Sequence, residues 1–166
     1  MTGTNLSPDE ARLLRFEIEE FNTEYARLLD EQDVDSWCEC FTDDGFYRVT
    51  ARENYDDGYP VGLVWCEGKP MLKDRAAAVK TTMVHAPRYL RHYNSNVRVT
   101  GVDNDGAIAS ESNYLVVETL MEDETRIFQA GRYIDQFVRQ GDGLLLKSRD
   151  CIYDSLIIPN DVVYPV

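Results

Sequence analysis

The chain has 166 residues and a mass of 19.1 kDa, enough for one ordinary domain and too short for two substantial ones. Lys and Arg total 17 against 30 Asp and Glu, so the formal net charge is −13 and the sequence pI is near 4.5, which excludes the basic face that nucleic-acid phosphates or an anionic membrane surface demand. With 43% hydrophobic residues the chain has the material for a core, which excludes a disordered polymer.

Ser7-Pro8-Asp9-Glu10 announces a helix, with an N-cap serine, proline at the first helical position and glutamate at the third. Leu14, Ile18, Phe21, Tyr25 and Leu28 follow at steps of 4, 3, 4 and 3, one face of a helix over about 8–30. Asp33 or Asp35 can cap a second, short helix carrying Trp37 and Phe41 and ending near Thr42. Asp43-Asp44-Gly45 reads as a turn and 46–50 as a strand. Residues 54–62 are expected to form a polar loop and 61–66 a short strand. A helix is expected over 71–83, with Leu72, Ala76, Val79 and Met83 on one side, and Pro87 ends that region.

Four long segments follow, at about 88–101, 107–120, 125–139 and 143–157, each rich in Val, Ile, Tyr, Phe and Leu with much alternation. The turns between them are Asp103-Asn104-Asp105-Gly106, Met121-Glu122-Asp123-Glu124 and Gln140-Gly141-Asp142-Gly143. Asp-Gly is a strong hairpin signal, so these segments predict an antiparallel meander. Helices first and a long curled sheet afterwards describe an α+β cone in which the first helix crosses the concave face. That order is compatible with the nuclear-transport-factor-2-like fold. Residues 1–166 read as a single domain, with no internal repeat or linker.

No run of 18 apolar residues occurs, and the polar start from Met1 to Asp9 lacks a signal peptide's apolar region. A cytoplasmic protein is expected, with Cys38, Cys40, Cys66 and Cys151 as free thiols. Cys38 and Cys40 form a lone C-x-C. Zinc sites pair C-x₂₋₄-C with a second ligand pair, so two helix residues, one partly buried, are the better account.

One series of motifs goes further. It comprises 21–30 followed by Trp37 and Phe41-Thr42-Asp43-Asp44, Tyr47-Arg48-Val49, Met71-Leu72-Lys73-Asp74-Arg75, and Arg88-Tyr89-Leu90-Arg91-His92-Tyr93-Asn94-Ser95-Asn96-Val97. It closes with Gly131-Arg132-Tyr133-Ile134-Asp135 and Lys147-Ser148-Arg149-Asp150-Cys151. In this order and spacing, from about 16 to 166, the chain resembles the small (β) subunit of Rieske non-heme iron aromatic-ring-hydroxylating dioxygenases. Residues 41–50 and 62–75 look most like the branch acting on carboxylated rings, terephthalate dioxygenase small subunits first and salicylate-hydroxylase relatives next.

The resemblance implies a supporting role. In that family the large (α) subunit holds a Rieske [2Fe–2S] cluster and a mononuclear Fe(II). The small subunit forms a trimeric base, often with three large and three small chains. A separate reductase brings electrons from NADH, and O₂ is added to the ring to give a cis-dihydrodiol.

The residues agree independently that this chain carries no such iron. A Rieske centre needs two Cys and two His in tight pairs, and here the only histidines, His85 and His92, stand seven apart with no cysteine between them. A facial triad could formally use both with an Asp, but Pro87 and a helix-to-strand change lie between them. Catalytic, metal and cofactor residues are therefore expected to be none.

Subunit contact is expected instead from Trp37, Tyr89, Arg91, Tyr93, Tyr133, Tyr153 and Tyr164, because aromatic and Arg side chains are enriched at interfaces. On a strand, Arg88, Leu90 and His92 share one face and Tyr89, Arg91 and Tyr93 the other. The charges of this basic patch either pair with nearby acids or meet a partner. Trp37 and Trp65 read as core or interface anchors. The apolar tail 157–166 should lie on this sheet or on another subunit, since free ends are usually polar. Asp43-Asp44 reads as a turn before it reads as an acid/base pair. Asp150 and Asp154, if inward, would need Arg149 or Arg132 as partners.

An alternative of another class is a stand-alone isomerase or dehydratase of the same fold. Glu111, Asp135 or Asp150 would be the general base, and Tyr114 or Tyr133 the oxyanion donor. An open apolar cavity holding one raised-pKa carboxylate would favour it, and a cone filled by side chains would oppose it.

Overall fold

The computed structural model describes residues 6–157 and 162–166. The first residues of the polar start and part of the apolar tail, 158–161, lie outside the described residues. Helix α1 (Pro8–Asp30) opens on the expected capping box: the Ser7 N–H donates to Glu10 Oε2 at 2.8 Å and the Glu10 N–H to Ser7 Oγ at 3.3 Å. Its inner face buries Leu14, Ile18, Tyr25 and Leu28, and Phe21 packs edge-on against Phe137 at 5.1 Å. Helix α2 (Val34–Cys38) is capped by Asp33, which accepts from the Ser36 N–H at 3.1 Å.

The structure corrects the next boundary. Phe41 and Thr42 are not helical, because strand β1 (Phe41–Ala51) already begins at Phe41. Asp43-Asp44-Gly45 bulges within that strand rather than preceding it. Pairing to β6 jumps from Phe41↔Leu146 to Phe46↔Ser148. A Cβ on Gly45 would lie 2.9 Å from the Phe41 Cβ, so the bulge requires glycine. Helix α3 (Arg52–Asp56) replaces the start of the expected loop, and strand β2 (Val64–Glu67) follows. Helix α4 (Gly68–Thr81) starts earlier than its apolar face and buries Leu72, Ala76 and Val79, while Met83 lies beyond its end.

Strands β3 (Arg88–Val102), β4 (Ile108–Leu120), β5 (Arg126–Gln140) and β6 (Gly143–Tyr153) form the expected antiparallel meander. The six-stranded order is β2-β1-β6-β5-β4-β3, with β1 parallel to β6. That pairing brings the first and last strands of the chain side by side and leaves β2 and β3 at the edges. Helix α1 packs on β3 and α4 on β1, and the core lies between helices and sheet. Ile18, Tyr25, Leu29, Trp37, Phe41, Tyr47, Leu72, Tyr133, Phe137 and Leu146 are fully buried there. Trp37, Phe41 and Tyr47 meet edge-to-face at 5.2 to 5.9 Å, the arrangement ring quadrupoles favour.

Candidate functional site

The inside of the cone is built from alternate residues of β5 and β6. Register pairs Asp135 with Arg149, and both side chains are fully buried. Arg149 Nε donates to Asp135 Oδ1 and Nη2 to Oδ2, each at 2.8 Å, and Nη2 also reaches Asn22 Oδ1 at 2.6 Å. The guanidinium lies between the rings of Tyr25 and Tyr133, 4.2 and 4.1 Å from their centroids, and Tyr114 stacks on Tyr133 at 4.5 Å. Burial raises the Asp135 carboxyl above its ordinary range, although the Arg149 charge and hydrogen bonds work against the rise. Burial also works against the guanidinium, but Asp135 outweighs it and holds Arg149 protonated. Both oxygens of Asp135 are engaged, so this carboxylate is not poised to take a proton.

The other proposed bases are elsewhere. Ile134 pairs with both Glu111 and Asp150, which puts those two acids on the face opposite Asp135 and Tyr133. Glu111 takes Arg98 at 2.6 Å and Asp150 takes Arg48 Nε at 2.6 Å. The expected partners of Asp150 were Arg149 and Arg132. Arg149 is its neighbour in sequence and so points the other way, while Arg132 lies 3.5 Å from Asp56. Asp154 sits just past β6 and pairs with Arg52. No acid–tyrosine constellation assembles from these groups.

The apolar tail enters the same interior. Val163, Tyr164 and Val166 are buried. The hydroxyls of Tyr25 and Tyr47 each donate to Val166 O at 3.2 Å, the Val166 N–H donates to Tyr47 Oη at 2.9 Å, and the Cys151 thiol lies 3.5 Å from the same Val166 oxygen. Arg75 Nη2 donates to Val162 O and Val163 O at 2.8 and 2.9 Å, and Tyr164 Oη bonds Gln32 Oε1 at 2.9 Å. This part of the tail lies on its own chain. The expectation left open sheet or neighbour, and nothing but tertiary contact could choose.

Of the seven interface candidates, only three are on the surface. Trp37 and Tyr133 are completely buried within the chain, so they are core residues, not surface anchors. Tyr153 and Tyr164 keep only 8% of their surface, too little to serve as anchors. Tyr89 and Tyr93 are 62% and 58% exposed, and the Arg91 side chain 60%. They continue across Leu115 and Val117 of β4 to the exposed Ile127 of β5, forming an apolar outer face. On the inner face of β3, Arg88 Nη1 donates to the fully buried Glu118 at 2.7 Å, and Glu118 also receives Arg126 at 2.6 Å. His92 Nδ1 lies 2.7 Å from Asp30 Oδ1, which also accepts the His92 N–H at 3.0 Å. Strand alternation made the two faces legible, and the acids that meet the inner one came from α1 and β4.

The residues present do not fit an iron centre. His92 is committed to Asp30, and the ring of His85 packs against Tyr164 at 5.4 Å. Among the described residues, no group of three or more His, Cys, Asp or Glu is placed to hold a metal ion. Cys38 is buried in α2 and Cys40 half-buried just after it, and burial pushes both thiols up to about 11. Among the described residues, no helix is long and apolar enough to cross a membrane.

A family model described as ring hydroxylating beta subunit matches residues 24–160. The chain belongs to that family. Among its relatives is the small subunit of anthranilate 1,2-dioxygenase from Burkholderia cepacia, 36% identical over 151 residues that span 91% of this chain and 93% of that one. Another is subunit beta 2 of the terminal oxygenase component of terephthalate 1,2-dioxygenase from Comamonas sp., 29% identical over 150 residues spanning 90% and 97%. A solved β subunit of the aromatic-ring-hydroxylating dioxygenase type from Novosphingobium aromaticivorans has a TM-score of 0.84 and 37% identity, covering 94% of this chain and 99% of that one. The fold is therefore the nuclear-transport-factor-2-like cone of dioxygenase β subunits. The chain is a small subunit of an aromatic-ring dioxygenase terminal oxygenase, an oxidoreductase component whose partner is a large (α) subunit. Identities of 36% and 29% do not single out the terephthalate branch that the motifs pointed to.

Proposed function

We propose that the chain is a single-domain, non-catalytic base of a cytoplasmic terminal oxygenase that adds O₂ to a carboxylated aromatic ring, giving a cis-dihydrodiol. The observation that carries the supporting role is the filled cone. Among the described residues the two fully buried carboxylates, Asp135 and Glu118, are each tied on both oxygens by arginines, and the chain's own Val166 occupies the space before Tyr25 and Tyr47. An isomerase or dehydratase needs that space for substrate. The names of the anthranilate and terephthalate relatives both denote carboxylated rings, which supports that substrate class.

In this reading the Rieske [2Fe–2S] cluster and the mononuclear Fe(II) belong to the large subunit, and a separate reductase consumes NADH. Three small chains form a trimer beneath three large ones. The Tyr89, Arg91 and Tyr93 face is the contact surface, since it joins exposed aromatic area to a directed cation.

The test is native mass and iron content of this chain, alone and co-expressed with its large subunit. The reading expects an iron-free trimer alone and an iron–sulfur complex of three plus three when co-expressed. A chain that stays apart from the large subunit would overturn it.

A further inference from the structure

Helix α1 carries a second apolar stripe beside the one that packs inward. Leu13 and Phe16, three residues apart on one side of the helix, are 57% and 58% exposed. Phe16 lines a groove of about 420 Å³ between α1 and the β5–β6 hairpin, with Glu17, Glu20, Phe21, Asp142 and Leu144. Its base is firm. Phe21 packs edge-on against the buried Phe137 at 5.1 Å, and Leu144 keeps only 9% of its surface. The groove opens at the hairpin end of the sheet, whereas Tyr89 stands at the other end, where β3 begins.

The rim is acidic and largely unmatched. Arg139 bonds Glu17 at 2.7 Å, while Glu20 and Asp142 meet no cation among the described residues. The helix cannot supply one, because Arg12, Arg15 and Arg27 already pair with Asp9, Glu19, Glu24 and Glu31. Seven acids stand on α1 against those three arginines.

Exposed aromatic area ringed by unmatched carboxylates restricts what can cover it. A second copy of this chain brings a charge of −13 and sets acid against acid. Anionic surfaces of lipid or nucleic acid are repelled in the same way. A bulky apolar side chain flanked by Lys or Arg meets both demands. The side chain fills the groove against Phe16 and Phe21, and the cations reach Glu20 and Asp142.

We propose that this groove is a second docking site for the large subunit, taken by a segment in which Lys or Arg flank a bulky apolar side chain. The proposal rests on the assembly with a large subunit set out above, and adds to it the face used and the chemistry of the segment. Apolar contact gives the site its hold, and the unmatched acids give it selectivity and a dependence on salt.

The test uses the complex of the full small and large chains, its dissociation followed by analytical ultracentrifugation across a series of salt concentrations. Phe16→Ala, and Glu20→Lys combined with Asp142→Lys, are each expected to weaken assembly by about tenfold or more. The charge reversal should also flatten the salt dependence of the parent complex. Asp57→Lys combined with Asp105→Lys makes the same change of charge at exposed positions elsewhere and should leave assembly near that of the parent. Among overlapping short peptides of the large subunit, one with Lys or Arg beside a bulky apolar residue should bind the parent small chain and not the charge-reversed one. Circular dichroism checks folding, and if Phe16→Ala does not fold, the charge reversal decides. Groove variants that assemble like the parent would overturn the docking site and leave the supporting role standing. A parent chain that ignores the large subunit would overturn both. Self-association that changes in the groove variants while large-subunit assembly does not would assign the groove to a second copy, and so overturn the proposal.

Discussion

Arg149 and Asp135 face each other across β6 and β5 as a fully buried ion pair with two hydrogen bonds of 2.8 Å, roofed and floored by Tyr25 and Tyr133. Removing one partner leaves the other charged and dry, which costs about 3–5 kcal/mol. Asp135→Leu and Arg149→Leu should each destabilise the chain by that order in urea unfolding. The double variant should cost much less than the two combined. Additive losses would show that the two charges do not depend on each other.

Asp33 caps α2, and its hydrogen bonds with Ser36 hold its carboxyl below the ordinary 3.8. A lowered carboxyl contributes stability above its unfolded pKa and loses it as pH falls through the folded one. Asp33→Ala should cost about 1 kcal/mol at neutral pH. The difference between the two proteins should shrink as pH drops below 3.8. A gap that stays constant down to acid unfolding would contradict a charged cap.

Tyr47 Oη both donates to Val166 O and accepts its N–H. Tyr47→Phe should destabilise the chain by about 1–3 kcal/mol, because a buried N–H is left unpaired. Hydrogen exchange at Val166 should speed up in step. Unchanged exchange there would mean that the tail does not depend on this bond.

A Cβ on Gly131 would come within 2.0 Å of Ile152 O, whereas one on Gly101 would meet nothing within 4 Å. Backbone on the neighbouring strand cannot yield as a side chain can. Gly131→Ala should cost about 3 kcal/mol or more in thermal unfolding, and Gly101→Ala should lie within about 1 kcal/mol of the parent. Equal tolerance at both positions would refute the close approach of β5 and β6.

Tyr89→Ala, Arg91→Ala and Tyr93→Ala remove exposed side chains, so each should shift stability by no more than about 0.5 kcal/mol. Co-purification with the large subunit, or self-trimerisation, should weaken by about tenfold or more for at least one of them. Tyr59→Ala, which removes an exposed ring elsewhere, serves as the comparison. Unaltered assembly in all three would move the contact surface to another face.

Local signals carried much of the fold. The capping box of Ser7 and Glu10 began α1 where it does begin, and the Leu14, Ile18, Tyr25 and Leu28 steps faced inward. Asp-Gly turns and alternating β-branched and aromatic residues marked out the meander. Alternation separated Arg88, Leu90 and His92 from Tyr89, Arg91 and Tyr93 without any coordinates. It also bars Arg149 from pairing with its neighbour Asp150, since adjacent strand residues face opposite ways.

What the sequence determined by itself was therefore whatever depends on neighbours a few residues apart: helix caps, hairpins, strand faces and the motif series that marks the family. Tertiary structure alone decided the parallel pairing of β1 with β6, the union of Asp135 with Arg149 and Asn22, the burial of Trp37 and Tyr133, and the course of the tail to Val166. Each of these joins chain segments far apart in sequence. A partner of that kind is chosen by which surfaces the sheet's curl and the packed helix bring together, and no periodicity along the chain records it.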